Sequence, residues 1–134
     1  MARALIQTVN TSNITLDEGA IIPLGTTTRR FGECLNQNGN GIAIGGTGYY
    51  TIRANVVITP AATGNLTVVL ANNGTVIPGA IAIGAVATVG NTITLPIDFT
   101  IRRGCCCETF DNITVVLSEG SGTVNNIVVN VAKE

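Results

Sequence analysis

The sequence predicts an all-β domain built as a two-sheet sandwich, and three observations carry that prediction. Val, Ile and Thr make up more than a third of the 134 residues, and these β-branched side chains suit a pleated surface better than a helix. Apolar and polar residues alternate with a period of two in several segments. Sixteen Gly and fourteen Asn supply turns between about eight to ten short strands. The length predicts one domain, 1–134, with N-terminal strands and loops in 1–45 and the core strands in 46–134.

Two long segments show the alternation most clearly. In Tyr49–Ile58 the even positions are apolar or aromatic and are predicted to face the core, whereas the odd positions are mixed. In Thr92–Arg102 the odd positions are apolar and the even positions are mostly polar. Pro96 has no N–H to donate, so this second strand is predicted to lie at a sheet edge or to carry a bulge.

The chain between these two strands predicts a hairpin and then an unusual strand. Leu66–Ala71 leads into Asn72-Asn73-Gly74, and Asn-Gly between two apolar runs is a strong hairpin signal, with Thr75–Pro78 as the returning strand. Ala80–Val89 is apolar on both faces. We therefore expect it to be covered on both sides or packed closely against another surface.

The two ends of the chain supply the remaining strands. Asn112–Leu117 and Thr123–Ala132 predict a closing hairpin around the Gly-rich turn 119–122. The segment Asn36–Gly41 is predicted to be a loop because of its Asn and Gly content. The shorter candidate strands near the N-terminus are Ala4–Val9, Ala20–Leu24, Arg30–Leu35 and Gly41–Ile44.

Composition excludes several classes of function. Hydrophobic residues make up 46% and charged residues 11%, which excludes intrinsic disorder, and a net charge of −1 lacks the positive footprint of a nucleic-acid-binding protein. The chain has no His, which removes the Ser-His-Asp and Cys-His triads and His-ligated zinc. No apolar run approaches the ~20 residues that cross a bilayer, and the N-terminus turns polar too early for a signal peptide. We expect no enzyme, cofactor, metal or membrane partner, and synthesis in a cytoplasm.

The chain from Gly48 onward resembles the trimeric jelly rolls of the tumour-necrosis-factor/complement-like superfamily, including the C-terminal domain of collagen-like spore-surface glycoproteins. Gly48–Ile52, Leu66–Leu70, Ile77-Pro78-Gly79, Thr92–Ile101 and the closing hairpin carry this resemblance. The whole chain is more specifically similar to short proteins of Firmicutes phages and prophages. Met1–Val9 and the Arg-x-Gly-Cys-Cys-Cys element at Arg102–Cys107 carry that second resemblance.

The resemblance implies a homotrimeric jelly roll that is a structural protein of the virion. It would be assembled in the host cytoplasm and decorate the capsid by binding the major capsid protein or another virion protein, without catalysis. The absence of Gly-X-Y repeats argues against a stalk-tip role. Two alternatives stay open, namely a cell-surface or receptor-recognition module of the same trimeric family and a carbohydrate-active protein on this scaffold. Only five aromatic residues are present to stack on sugars, which weighs against the carbohydrate alternative.

The same resemblance places Tyr49–Ile58 and Thr92–Arg102 side by side in the inner sheet. Because both strands bury their apolar face in the sandwich, their opposite faces are expected to look toward the three-fold axis. Arg53 and Asp98 are the only charges in the middle of either strand, so we expect them to pair within or between subunits. The predicted trimer-interface residues are Tyr49, Arg53, Asn55, Thr94, Pro96 and Asp98.

Two arginine pairs, Arg29-Arg30 and Arg102-Arg103, are candidate contacts to an acidic partner surface. The planar guanidinium suits bidentate interface contacts, and six of the seven basic residues are Arg. The alternative for each pair is a solvated loop position or an ion pair with a nearby Asp or Glu.

The four cysteines, Cys34, Cys105, Cys106 and Cys107, form the last candidate group. Three adjacent cysteines lack the C-x₂₋₄-C spacing of a structural zinc site. Three interpretations stay open: buried or unpaired thiols, a disulfide from Cys34 to one of the other three, or a thiol cluster shared around a three-fold axis.

We predict that Cys34→Ser assembles as the wild type does, with at most a modest fall in the thermal unfolding midpoint. The reason is that a protein made in a cytoplasm should fold without a disulfide. Light scattering and thermal unfolding, each with and without reductant, measure this. A variant that fails to fold, beside a wild type that unfolds in reductant, would contradict the prediction.

Overall fold

The computed structural model describes residues 3–33, 35–103 and 111–133, which form eleven β-strands. The strands in chain order are β1 (Ala4–Asn10), β2 (Ile14–Leu16), β3 (Thr26–Phe31), β4 (Leu35–Asn38), β5 (Gly41–Ile44), β6 (Gly48–Pro60), β7 (Gly64–Asn72), β8 (Thr75–Val86), β9 (Ile93–Arg103), β10 (Asp111–Glu119) and β11 (Gly122–Lys133). The first sheet has the order β3-β1-β11-β6-β9, with β2 also paired to β11, and the second has the order β4-β5-β10-β7-β8. Over the described ranges no helix is long and apolar enough to cross a membrane. The predicted all-β, two-sheet sandwich is confirmed, with one strand more than expected.

The core lies between the two sheets and is built from alternate residues of each strand. The even positions of β6 from Tyr50 to Ile58 are at most 2% exposed. Their neighbours on β11, such as Val129 and Val131, are equally buried and lie in register with them. Burying an Ile or Val side chain stabilises the fold by about 1.5–3 kcal/mol, so the alternation predicted for this strand accounts for a large part of the core.

Strands β6 and β9 are neighbours, as expected from the resemblance. Gly48–Ile58 pairs with Ile93–Arg103 residue for residue, in an antiparallel register without a bulge. Strand β9 lies at the edge of the first sheet, where a proline is tolerated because only one side of the strand takes part in a ladder. The edge position predicted from this proline is therefore confirmed.

The predicted hairpin around Asn73-Gly74 joins β7 to β8. Both turn residues have positive φ, 52° at Asn73 and 86° at Gly74. The returning chain is one strand, not two, with a register shift opposite Val69 and Ala71. Only one face of it is covered in the protomer, because Ala80 and Ala82 face the core while the alternating Ile81 and Ile83 stay exposed. The expected cover on both faces is therefore absent from the described residues of a single chain.

The N-terminal third departs most from the sequence-based expectations. The predicted strand Ala20–Leu24 is reduced to a single bridge between Ile21 and Val116, and Pro23 has no N–H with which to extend it. The predicted loop Asn36–Gly41 instead overlaps most of β4, an edge strand paired with β5. Gln37 fixes it there, since its side-chain amide donates to the carbonyl oxygens of Gly25 and Gly39 at 2.7 and 3.1 Å.

We predict that Gly25→Ala lowers the free energy of unfolding by about 2 kcal/mol more than Gly19→Ala does. Both glycines have positive φ, 79° and 88°, so both variants carry similar backbone strain. Only at Gly25 would the added Cβ overlap the Val9 carbonyl oxygen and lie 2.7 Å from the Cβ of Asn10, where β3 begins beside β1. Urea denaturation of the two variants measures the difference. Equal losses would contradict the proposed close approach.

Candidate interface on the first sheet

The outward-facing side of the first sheet carries the residues that the sequence predicted for an interface. On β6 and β9 these are Tyr49, Arg53, Asn55, Thr94, Pro96 and Asp98, and the strand register places all six on one face. We call this surface the outer face of the first sheet. The structure therefore brings the predicted residues together, while their contact with another subunit remains a proposal.

A polar row crosses this face perpendicular to the strands. The paired positions run from Arg29 on β3 through Gln7 on β1, Asn130 on β11 and Arg53 on β6 to Asp98 on β9. Since cross-strand partners lie about 5 Å apart, the row extends over the whole width of the sheet. It presents donors and acceptors to whatever covers the face.

The expected pairing of Arg53 with Asp98 is present within one chain. The two residues are directly opposite in the register, and Arg53 Nε lies 3.5 Å from Asp98 Oδ2. Their side chains are 70% and 67% exposed. An ion pair in this much solvent is worth less than about 1 kcal/mol, so it adds little to the stability of the isolated protomer.

Two hollows flank the Arg53 side chain. One, of about 350 Å³, lies between β6 and β9 and reaches Val128 on β11, with Asn55 and Pro96 on its walls. The other, of about 270 Å³, lies toward β1 and is lined by Leu5, Thr51 and Ala132. Both are partly apolar, so side chains of a second protein can enter on either side of the guanidinium.

Arg102 and Arg103 have different environments, which corrects their joint assignment as partner contacts. Arg102 is exposed and lies opposite Tyr49. Arg103 is only 7% exposed, and its Nη1 lies 3.0 Å from Asp111 Oδ1 on β10 of the second sheet. Odd positions of β9 face the core, so Arg103 faces inward and joins the two sheets. The alternative of an ion pair with a nearby acidic residue therefore describes Arg103.

The other candidate residues are distributed as follows. Arg29 is exposed in the polar row, whereas Arg30 Nε donates to the Leu35 carbonyl oxygen at 2.7 Å and so connects β3 to β4. Cys34, Cys105, Cys106 and Cys107 lie outside the described residues. Within the described ranges, no three acidic, histidine or cysteine side chains cluster as metal ligands.

The sequence did not locate a second exposed surface, which lies on the edge strand β8. Val76, Ile81 and Ile83 are 48–61% exposed on the outward side of the second sheet. In register with Ile81 lie Val69 on β7, Val116 on β10 and then Ile21, so the apolar row crosses the sheet. We call the three exposed residues of β8 the β8 edge. The two-sided apolar character of Ala80–Val89 was the available signal for it.

Comparison with known proteins identifies relatives by fold alone. No family model matches the chain, and no curated protein matches it in sequence. The structure of Eiger TNF from S. frugiperda is similar with a TM-score of 0.74 at 12% identity, covering 99% of this chain and 92% of that one. The globular domain of zebrafish complement 1qA gives 0.67 at 5% identity, covering 96% and 94%. The PRD1 vertex protein P5 gives 0.60 at 17% identity, covering 99% and 98%.

These likenesses extend over nearly the whole chain and confirm the fold that the sequence resemblance implied. The protein is a jelly roll of the tumour-necrosis-factor kind, with two antiparallel sheets. At such low identities the likeness carries the fold and leaves function to be argued from the site.

We predict that Asp111→Asn lowers the free energy of unfolding by about 3 kcal/mol, because it removes the carboxylate that faces the buried Arg103 guanidinium. Asp98→Asn, the matched change at the exposed pair, should cost less than about 1 kcal/mol. Chemical denaturation of both variants under conditions that dissociate any oligomer gives the comparison. Similar losses for the two would show that burial does not distinguish these ion pairs.

Proposed function

We propose that this protein is a homotrimeric structural protein of a virion that acts by binding, without catalysis. The observation that carries the proposal is on the outer face of the first sheet. There Arg53, which is paired with Asp98 and exposed, lies between two partly apolar hollows that side chains of a partner can fill. The likeness to TNF-like and complement-like jelly rolls supports self-association, and the likeness to a phage vertex protein supports a structural role.

The β8 edge supplies the complementary surface for a trimer. It is apolar, it belongs to an edge strand, and no charged residue occurs between Arg53 and Asp98 in the sequence. Packing it into the hollows of a neighbouring chain joins two different surfaces, and such heterologous contacts form a closed ring when the rotation closes. Three copies would then bury the exposed isoleucines of β8 and the Arg53–Asp98 pair together.

We further propose that the trimer decorates a capsid by binding the major capsid protein or another virion protein. Many weak contacts repeated by symmetry give firm attachment without a deep binding site. Mass spectrometry of purified virions tests this location directly. Absence of the protein from virions, together with binding to host cells, would instead favour the recognition-module alternative.

We predict that Arg53→Ala raises the trimer dissociation constant about tenfold or more and changes protomer stability by less than about 1 kcal/mol. The neighbour that covers the pair removes water from it, so truncation leaves Asp98 buried without its partner. The double variant Arg53→Ala/Asp98→Ala should recover most of the affinity, because it leaves no unpaired charge. Sedimentation equilibrium measures all three proteins.

The matched control is Arg3→Ala, which removes the same side chain from an exposed position at the end of the sheet. It should dissociate as the wild type does. Equal weakening by Arg3→Ala and Arg53→Ala, or a wild type that is monomeric at micromolar concentration, would refute the assignment.

A further inference from the structure

The chain contains three Asn-Gly dipeptides, which have no part in the proposed function. They are Asn38-Gly39, Asn40-Gly41 and Asn73-Gly74, and all three lie in hairpins of the second sheet. Asn followed by Gly is chemically labile, because the next backbone nitrogen can attack the side-chain carboxamide and glycine has no Cβ to obstruct it. The structure places the three asparagines in different environments, so it predicts different reactivities.

Asn38 is exposed, and the nitrogen that would attack it is accessible. It is the last residue of the edge strand β4, and its carboxamide forms no hydrogen bond with the residues that the structure describes. Gly39, with a φ of 61°, begins a two-residue turn, so its N–H lies outside the ladder that the Asn38–Gly41 pair closes. No described atom lies within 4 Å of the position that a Cβ of Gly39 would take, which leaves space around this nitrogen.

Asn73 is held by two hydrogen bonds to the neighbouring strand β10. Its backbone N–H donates to the Asn112 carbonyl oxygen at 2.9 Å, and its side-chain Oδ1 accepts from the Asn112 N–H at 3.1 Å. Its φ of 52° lies in the left-handed region, where the following nitrogen is anti to Cβ and points away from the carboxamide. Attack by the Gly74 nitrogen therefore requires the turn to unfold and the side chain to leave Asn112.

The nitrogen that follows Asn40 is buried and belongs to the ladder. Gly41 is the first residue of β5 and pairs with Asn38 on one side and with Thr114 on the other. The closing pair of a two-residue hairpin exchanges hydrogen bonds, so the Gly41 N–H is already engaged. The Asn112 side chain covers this position as well, since a Cβ on Gly41 would lie 2.5 Å from its Oδ1. Asn40 is therefore protected through its neighbour, although its own side chain is exposed.

We propose that Asn38 is a site of spontaneous modification that deamidates through a cyclic imide, while Asn40 and Asn73 are protected. The Gly39 nitrogen loses its proton and bonds to Asn38 Cγ, the bond from Cγ to Nδ2 breaks, and Nδ2 leaves as ammonia. Water then adds to one of the two imide carbonyls and opens the ring. Opening at Cγ gives an aspartyl residue, and opening at the main-chain carbonyl gives an isoaspartyl residue. The reaction consumes only water and does not depend on the proposed trimer.

The modification would disturb hydrogen bonds that join the edges of the two sheets. Gln37, the residue before the site, donates to the Gly25 carbonyl oxygen at 2.7 Å and accepts from the Thr27 hydroxyl at 2.8 Å. It also donates to the Gly39 carbonyl oxygen at 3.1 Å. An isoaspartyl residue adds a methylene group to the main chain between Gln37 and Gly39, so these bonds lose their register. Either product also places a new carboxylate at the end of β4.

The test incubates the full-length protein, native and in urea, and follows each site by peptide mapping with mass spectrometry. Fragmentation by electron transfer separates aspartyl from isoaspartyl products. In urea we expect the three sites to react within about threefold of one another, because no folded structure distinguishes them. In the native protein we expect Asn38 to react at least about tenfold faster than Asn40 and Asn73, which must first open the hairpin. The native rate at Asn38 should rise with pH, because the attacking nitrogen must lose a proton.

Two variants of the same turn provide the matched comparison. Asn38→Gln should remove most of the native deamidation, since its longer side chain would have to close a larger and less favourable ring. Asn40→Gln changes a neighbouring exposed asparagine in the same way and should leave the rate at Asn38 unchanged. Thermal unfolding of fresh and aged samples measures the effect on the Gln37 hydrogen bonds. Aged wild type should unfold at a lower temperature than fresh wild type, and aged Asn38→Gln should match its fresh sample.

Four outcomes would overturn the inference in whole or in part. Equal native rates at the three sites would mean that burial and hydrogen bonding do not select Asn38. A rate at Asn38 that falls as far as the other two on folding would mean that its hairpin protects it as well. Aspartyl product without isoaspartyl product would assign the reaction to direct hydrolysis and refute the cyclic imide. Aged wild type that unfolds as fresh wild type does, despite extensive conversion at Asn38, would refute the effect on the Gln37 hydrogen bonds.

Discussion

The register between β6 and β9 is the constraint on which the rest of the structure depends. Because successive side chains of a strand point to opposite faces, the pairing of Arg53 with Asp98 places the odd residues of β6 and the even residues of β9 together on the outward face. A slip of one residue would exchange the two faces, exposing Tyr50 and Ile52 and burying Arg53. The same parity brings Arg103 to the inside, where it meets Asp111 of the other sheet. One pairing thus fixes the core, the candidate interface and the ion pair that joins the sheets.

The sequence segment between Arg53 and Asp98 contains no charged residue, and this affects the structure in two ways. It lets β7 bury residues on both faces, so that Leu70 faces the core while Val69, only 3% exposed, is covered on the outward side by its sheet neighbours. It also leaves β8 as an edge strand without the charged residues that normally protect such edges from association. An unprotected apolar edge is a liability in a monomer, and it is useful where a neighbouring chain covers it.

The sequence predicted the strands in which buried and exposed side chains alternate. The prediction failed for strands that are held in the sheet by backbone hydrogen bonds alone. In β6 and β9 alternation follows the two faces, so even the edge position of Pro96 could be inferred. Strand β3 is exposed at every position and pairs through its backbone, so no pattern marks it. Arg103 was within reach of prediction, since extending the alternation of β9 by one residue turns it inward. The β8 edge was visible as an apolar segment, but its uncovered side depended on the sheet order.

The fold by itself does not decide the function, because a TNF, a complement domain and a vertex protein all use this jelly roll. What the chain adds to the fold is an uneven placement of charge. Asp17, Glu18 and Glu119 lie near the end where β6 finishes, and no Lys or Arg among the described residues lies with them. In a cyclic oligomer each protomer contributes the same end at the same level, so a modest imbalance in one chain is multiplied and none of it is cancelled by the symmetry. A dihedral arrangement would instead oppose like-charged ends to one another or hide them between two rings.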